Sequence, residues 1–262
     1  MHPVILQFGF FKLPAYGLMV ALGYLAAMLY LFRRSQAFSF RKEDVADLVF
    51  YTVVAGMAGA KLFYAATYWT QLGPDTLSRA VYLLKTFQYG FVFYGGLVFG
   101  AAAFFFTARR RGLPALGAAD LFAPALALGH AFGRVGCFLA GCCHGRPAPA
   151  GPFSVVFTDP SCEVAPNLLG VPLYPSQLLE AGGNLLIFAL LHRALGKRYR
   201  PGAVLALYAA LYSVLRFLIE FLRGDDRGAA HFGLSPAQLI SAAVFCAAAV
   251  LFFKLRSSDE KN

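Results

Sequence analysis

The sequence predicts an all-α integral membrane protein of about seven transmembrane helices, with the N-terminus outside and the C-terminus cytoplasmic. Three observations lead there. Hydrophobic residues make up 59% of the 262 positions and charged residues only 14%, with a mean hydropathy of +0.61. That apolar share exceeds what an ordinary soluble core absorbs. The apolar residues fall into stretches near the roughly 20 residues that span a bilayer. Lys and Arg are distributed unequally between alternate loops.

The stretches are 13–32, 44–64, 89–107, 113–132, 175–192, 202–222 and 234–254. Lipid offers no water to an unpaired backbone amide, so each must be a helix despite its Val and Phe content. The first has no basic segment ahead of it and is expected to be retained rather than cleaved as a signal peptide. The fifth opens at Tyr174-Pro175. Ser235-Pro236-Ala237-Gln238 opens the seventh with an N-cap, a first-turn proline and a capping-box glutamine. The segments between are loops, 133–174 being the longest, and 256–262 reads as a solvated tail. The whole, 1–262, is expected to be a single polytopic membrane domain.

Orientation follows from the loops. Segments 33–43, 108–112, 193–201 and 254–262 hold fourteen Lys and Arg, and segments 1–12, 65–88, 133–174 and 223–233 hold seven. The richer set belongs in the cytoplasm, which makes 133–174 an external loop. The net charge of +10 therefore follows topology rather than a nucleic-acid-binding stripe, and no nucleic acid is expected as a partner.

Charged groups within spans are costly and point to function. Lys61, Glu180, Arg216 and Glu220 fall toward the outer side, with Tyr16, Tyr94 and Arg134; Asp120 lies toward the inner side. Tyr212, Arg216 and Glu220 are spaced by four and share a helix face. They read either as a neutralising ion pair or as a surface that holds a phosphate. Gly95 and Gly96, beside Tyr94, permit close approach of a helix or a lipid headgroup. In Gly133-Arg134-Val135-Gly136-Cys137-Phe138-Leu139-Ala140-Gly141-Cys142-Cys143-His144-Gly145-Arg146, glycines alternate with arginines that can grip an anion, Arg134 in bidentate fashion.

Gly133-Arg134-Val135-Gly136-x-Phe138 with Gly141 and Gly145 resembles the signature segment of prolipoprotein diacylglyceryl transferases. Tyr16-Gly17-Leu18, Gly59-Ala60-Lys61-Leu62, Tyr94-Gly95-Gly96-Leu97, Tyr174-Pro175-Ser176-Gln177-Leu178-x-Glu180, the Tyr212, Arg216 and Glu220 face, and Leu234-Ser235-x-x-Gln238 are similar to the family in the same order. The resemblance implies transfer of diacylglyceryl from phosphatidylglycerol to the lipobox cysteine of a preprolipoprotein, forming a thioether, at the outer face of the bacterial inner membrane. The implied partners are phosphatidylglycerol, the lipobox segment and membrane lipids, and no metal or organic cofactor is implied. Arg134 and Arg216 would hold the phosphate, Glu220 would orient Arg216, and Tyr94 would stand at the catalytic position where the family usually has His. Tyr16, Lys61, Gly95, Gly96, Gly133, Gly136, Gly145, Gln177, Glu180 and Tyr212 would contact substrate. The chain departs from the family again at Cys137 and Ala140, where Asn is usual, and at Cys142, where Glu is usual. The group that activates the acceptor thiol therefore stays open between Tyr94, Glu180, His144 and ionisation beside the arginines. A divergent paralogue acting on another lipid or acceptor is a second reading.

Cys137, Cys142, Cys143 and Cys162 lie in or near the external loop, where a disulfide can persist. They read as packing residues with a possible bridge from Cys142 or Cys143 to Cys162. Cys142, Cys143 and His144 are adjacent and lack the usual zinc spacing. A transporter would also place charge in the membrane, but it needs polar groups in both halves, and the inner half offers Asp120 alone.

Overall fold

The computed structural model describes residues 2–8, 11–86, 89–224 and 233–256. It is mostly helical. Helices α1 (Ala15–Ser35), α2 (Lys42–Thr67), α3 (Thr76–Lys85), α4 (Phe93–Arg110), α5 (Ala115–Ala140), α6 (Ser176–Ala194), α7 (Ala203–Glu220) and α8 (Pro236–Arg256) follow in order. Two small antiparallel pairs accompany them, β1 (Val4–Phe8) with β2 (Phe11–Pro14), and β3 (Val155–Val156) with β4 (Pro172–Leu173). Five segments, Ala15–Phe38, Lys42–Thr67, Ala115–Ala140, Ala203–Glu220 and Pro236–Arg256, are long and apolar enough to cross a membrane. The expected spans 89–107 and 175–192 are the helices α4 and α6. They are less apolar than the five because α4 ends in Arg109-Arg110 and α6 carries Gln177, Glu180, Asn184, His192 and Arg193.

The chain divides into two compact units, 34–118 and 1–33 with 119–262. In the first unit α2 packs along α4 through glycine. A Cβ at Gly59 would overlap Phe99, and one at Gly95 would overlap the Gly59 carbonyl. The two backbones therefore touch, as small residues allow between membrane helices. Arg41 and Arg111 close the end of α2 near Asp44 and Asp47. At the other end Lys61 donates to the carbonyls of Thr86 at 2.8 Å and Tyr89 at 2.6 Å. Between them α3 is amphipathic, with Leu77, Val81, Tyr82 and Leu84 all exposed. Asp75 caps it, accepting from the Ser78 amide at 3.0 Å. That bond and the Ser78 hydroxyl hold the Asp75 carboxyl below the usual carboxylate range.

In the second unit α5, α6 and α7 enclose Ala123, Ala127, Ile187, Leu191 and Val204. A Cβ at Gly183 of α6 would overlap Leu215 of α7, so these helices also approach closely. The first turn of α7 is anchored by Asp120, whose carboxylate accepts from the amides of Gly202 at 2.7 Å and Leu205 at 2.8 Å. Two orphan N–H groups of a helix start are thereby satisfied. Asp120, the only inner support for a transporter path, is thus a helix anchor. Helix α8 begins with the expected capping box. The Gln238 amide donates to the Ser235 Oγ, and the Gln238 Oε1 accepts from the Ser235 amide.

Three features differ from the sequence reading. Helix α5 runs to Ala140, eight residues past the expected span end at 132. Gly133, Arg134, Gly136 and Cys137 are therefore helical, and the loop begins at Gly141. Helix α3 and the β1–β2 hairpin occupy segments read as loop. The tail beyond Arg256 and most of 223–233 lie outside the described residues.

Candidate active site

The C-terminal ends of α5 and α7 and the N-terminal end of α6 bring together the charged residues that the sequence scatters over about ninety positions. Arg134 points from the penultimate turns of α5 to Glu180 of α6, its Nη2 3.0 Å from Oε1. Arg223, just past α7, lies 3.9 Å from the other Glu180 oxygen. The Tyr212 hydroxyl donates to the Glu180 Oε1 at 3.4 Å. Glu180 is fully buried, a position a carboxylate holds only when paired. One turn along α7, Arg216 pairs with Glu220 at 2.7 Å, and Ser235 donates to the second Glu220 oxygen at 2.8 Å.

The balance of this cluster decides its chemistry. Arg134, Arg216 and Arg223 supply three guanidinium charges against the two carboxylates of Glu180 and Glu220. Among the described residues one positive charge is in excess, at a place where bare charge is costly. The Arg216 Nη1 is buried and has no hydrogen-bond partner among the described residues. A donor so placed has unmet capacity for an oxygen ligand. His130 and Tyr212 are in tilted ring contact, with centroids 5.0 Å and planes 43° apart, and both lie in the field of Arg134 and Arg216. The site can thus bind an oxyanion against an aromatic wall.

The loop after α5 is woven to the end of α7. The Gly145 amide donates to the Tyr174 carbonyl at 3.2 Å, the Arg146 amide to Leu222 at 2.8 Å and the Gly224 amide to His144 at 3.2 Å. A Cβ at Gly145 would overlap the Tyr174 carbonyl, so only glycine fits between the two backbones. Gln177 donates from Nε2 to the Cys142 carbonyl at 2.8 Å, and Ser176 from its hydroxyl to the Cys143 carbonyl at 3.1 Å. Gln177, expected on substrate, thus holds the loop. Gly136 packs under Tyr16 of α1, where a Cβ would come within 3.2 Å of its ring. A Cβ at Gly133 would meet nothing within 4 Å, which leaves the helix surface open beside Arg134.

Lys61, Tyr94, Gly95 and Gly96 belong to the 34–118 unit. Lys61 engages two backbone carbonyls. Tyr94 is exposed in the first turn of α4 against Phe93, while Gly95 and Gly96 serve the contact with α2. The cysteines are all free. Cys162 packs with Phe157, Val164 and Leu173 and joins no bridge to Cys142 or Cys143. The Cys143 thiol is pulled down by the neighbouring Cys137 and Cys142 thiols donating to it, then by the Arg223 guanidinium. The sequence reading misses His130 and Arg223 as site residues. Their signal is helical spacing, because His130 is four residues before Arg134 and Arg223 is seven after Arg216.

Comparison with known proteins agrees over nearly the whole length. Residues 3–254 match the family model described as prolipoprotein diacylglyceryl transferase. A phosphatidylglycerol–prolipoprotein diacylglyceryl transferase of Clostridium tetani is 34% identical over 241 residues, which cover 92% of each chain. A second so named, from Clostridium perfringens, is 32% identical and covers 92% of this chain and 90% of its own. One from Geobacter sulfurreducens is 34% identical over 257 residues, 93% of this chain and 91% of its own. With the arginine cluster and the glycine-bearing end of α5 in place, these matches show that the chain belongs to the prolipoprotein diacylglyceryl transferase family.

Proposed function

We propose that this protein transfers diacylglyceryl from phosphatidylglycerol to the lipobox cysteine thiol of a preprolipoprotein. It does so as a seven-span protein of the bacterial inner membrane, a single polytopic domain with its N-terminus and reaction site on the external side. The observation that carries this reading is the buried Arg216 Nη1, which has no hydrogen-bond partner among the described residues, within an arginine-rich cluster. It is supported by the names of the relatives.

In the reaction the acceptor sulfur attacks the glyceryl carbon. A C–S bond forms, the C–O bond to phosphate breaks, and the electron pair leaves with glycerol phosphate. The acceptor proton passes to a base or to the departing phosphate. Charge grows on the phosphate oxygens, so donors fixed there before the reaction lower the barrier. Arg134 and Arg216 take that role, with Glu220 and Ser235 fixing the Arg216 fork and Glu180 fixing Arg134. Tyr212 and His130 flank the headgroup. Tyr16, Gly133, Gly136 and Gly145 shape its surroundings, and Gln177 holds the loop beside it. Lys61, Gly95 and Gly96 keep the substrate contacts that the family resemblance gives them. Tyr94 is carried as the residue at the family's histidine position.

The test is radiolabelled phosphatidylglycerol transfer to a lipobox peptide by purified protein. A thioether product with wild type, and none with Arg216→Ala at normal expression, is the expected result. Near-normal transfer by Arg216→Ala refutes its role. No product from folded wild type that binds the lipid refutes the activity.

A further inference from the structure

The last turn of α5 and the bend that follows it form a thiol cluster to which the proposed transfer step gives no role. Cys137 sits on the helix, and Cys142 and Cys143 follow its end. The chain reverses there because the Gly141 and Cys142 amides both return to the Cys137 carbonyl, at 3.0 and 3.2 Å. Gly141 has φ +82° and Cys143 φ +57°. A left-handed conformation is unfavourable for a residue with a Cβ, yet Cys143 is held in it by the Ser176 hydroxyl on its carbonyl. The consequence is that the three Sγ atoms lie within 4.8 Å of one another.

We propose that Cys137, Cys142 and Cys143 form a three-thiolate site for a soft, monovalent metal ion of the copper(I) class. Thiolates select soft ions. Metal–sulfur bonds of about 2.3 Å place the sulfurs of a trigonal plane about 4 Å apart, so the triangle closes by small rotations. A disulfide, at about 2.05 Å, would use two thiols and strand the third. Zinc wants a fourth ligand. His144 does not supply it, since it is not among the residues whose ligand atoms lie within 4.8 Å of one another. Three thiolates and one monovalent cation leave a charge of minus two. Arg134, which acts on Cys137 and Cys143, and Arg223, which acts on Cys143, offset part of it while also facing Glu180. The site is argued from the geometry of the three thiols alone and does not rest on the transferase reading.

The experiment needs no lipid. Full-length protein, purified in detergent and reduced without oxygen, is titrated with copper(I) held by a chromophoric competing chelator. One ion per chain should be withdrawn, with thiolate-to-copper absorption in the ultraviolet. Iodoacetamide followed by mass spectrometry should show Cys137, Cys142 and Cys143 protected by copper, while Cys246 alkylates equally with and without it. Cys143→Ser should weaken binding by more than the roughly 10–100-fold that outer-shell partners are worth, and Cys246→Ser should not. Failure of wild type to withdraw the ion, copper-independent alkylation of the three thiols, or equal binding by Cys143→Ser would overturn the proposal. So would a disulfide within the cluster in protein kept reduced.

Discussion

Glu180 is the residue on which the site's arrangement depends. It is fully buried and faces Arg134, Arg223 and Tyr212. Glu180→Ala leaves the guanidiniums unneutralised in a low-dielectric setting, and breaking a buried pair costs about 3–5 kcal/mol. Thermal unfolding in detergent should show that loss, while Glu180→Gln should unfold nearer to wild type. For Tyr94, exposed on α4, Tyr94→His should be tolerated or activating in the transfer assay. Complete inactivation of a folded variant would mean that the phenol itself is required. Arg134, Arg216, Glu220 and Tyr212 are legible in the sequence because charge in lipid is conspicuous and a spacing of four marks one helix face. His130 and Arg223 are not. A lone histidine in an apolar run carries little signal, and Arg223 counts equally well as a loop charge until the fold turns it back toward Glu180.

At the scale of the element, composition locates the apolar helices and misses their ends. Helix α5 outruns its expected end because Gly133, Arg134 and Gly136 look like a turn. In lipid such residues stay helical, since the backbone has no other partner. Helix α3 escapes because it is short and amphipathic and has no long apolar run. Its Asp75 cap gives a pH prediction. A carboxyl held below its unfolded value of about 3.9 stabilises the helix above that pH, and the contribution is lost as pH falls through the lower, folded value. The protection factor of the Ser78 amide, its exchange rate measured against the intrinsic rate at the same pH, should therefore fall in acid, and Asp75→Asn should flatten the dependence. The α2–α4 contact predicts that Gly59→Leu, which would drive a side chain into Phe99, reduces the folded yield sharply in a membrane-extraction assay.

For the whole molecule, the unequal loop charges predict a topology that reporter fusions can check. A cytoplasm-active fluorescent fusion should light up after Arg256 and a periplasm-active phosphatase after Ser154. The reverse pattern would refute the orientation. The sequence can support this reading because basic residues are sorted by the membrane during insertion, a rule that needs no tertiary structure. It cannot show how the ends of α5, α6 and α7 meet, which depends on close passages such as Gly183 against Leu215.

Glu180 has one further consequence. Because a single carboxylate answers to groups on α5, on α7 and beyond α7, those groups cannot act independently. Double-mutant cycles pairing Arg134→Ala with Arg223→Ala should show substantial coupling energy, since the second deletion meets a carboxylate already half released. Losses at these positions will not sum. A variant tolerated alone can be ruinous in company, and a second change on the opposite side of Glu180 can restore what the first removed.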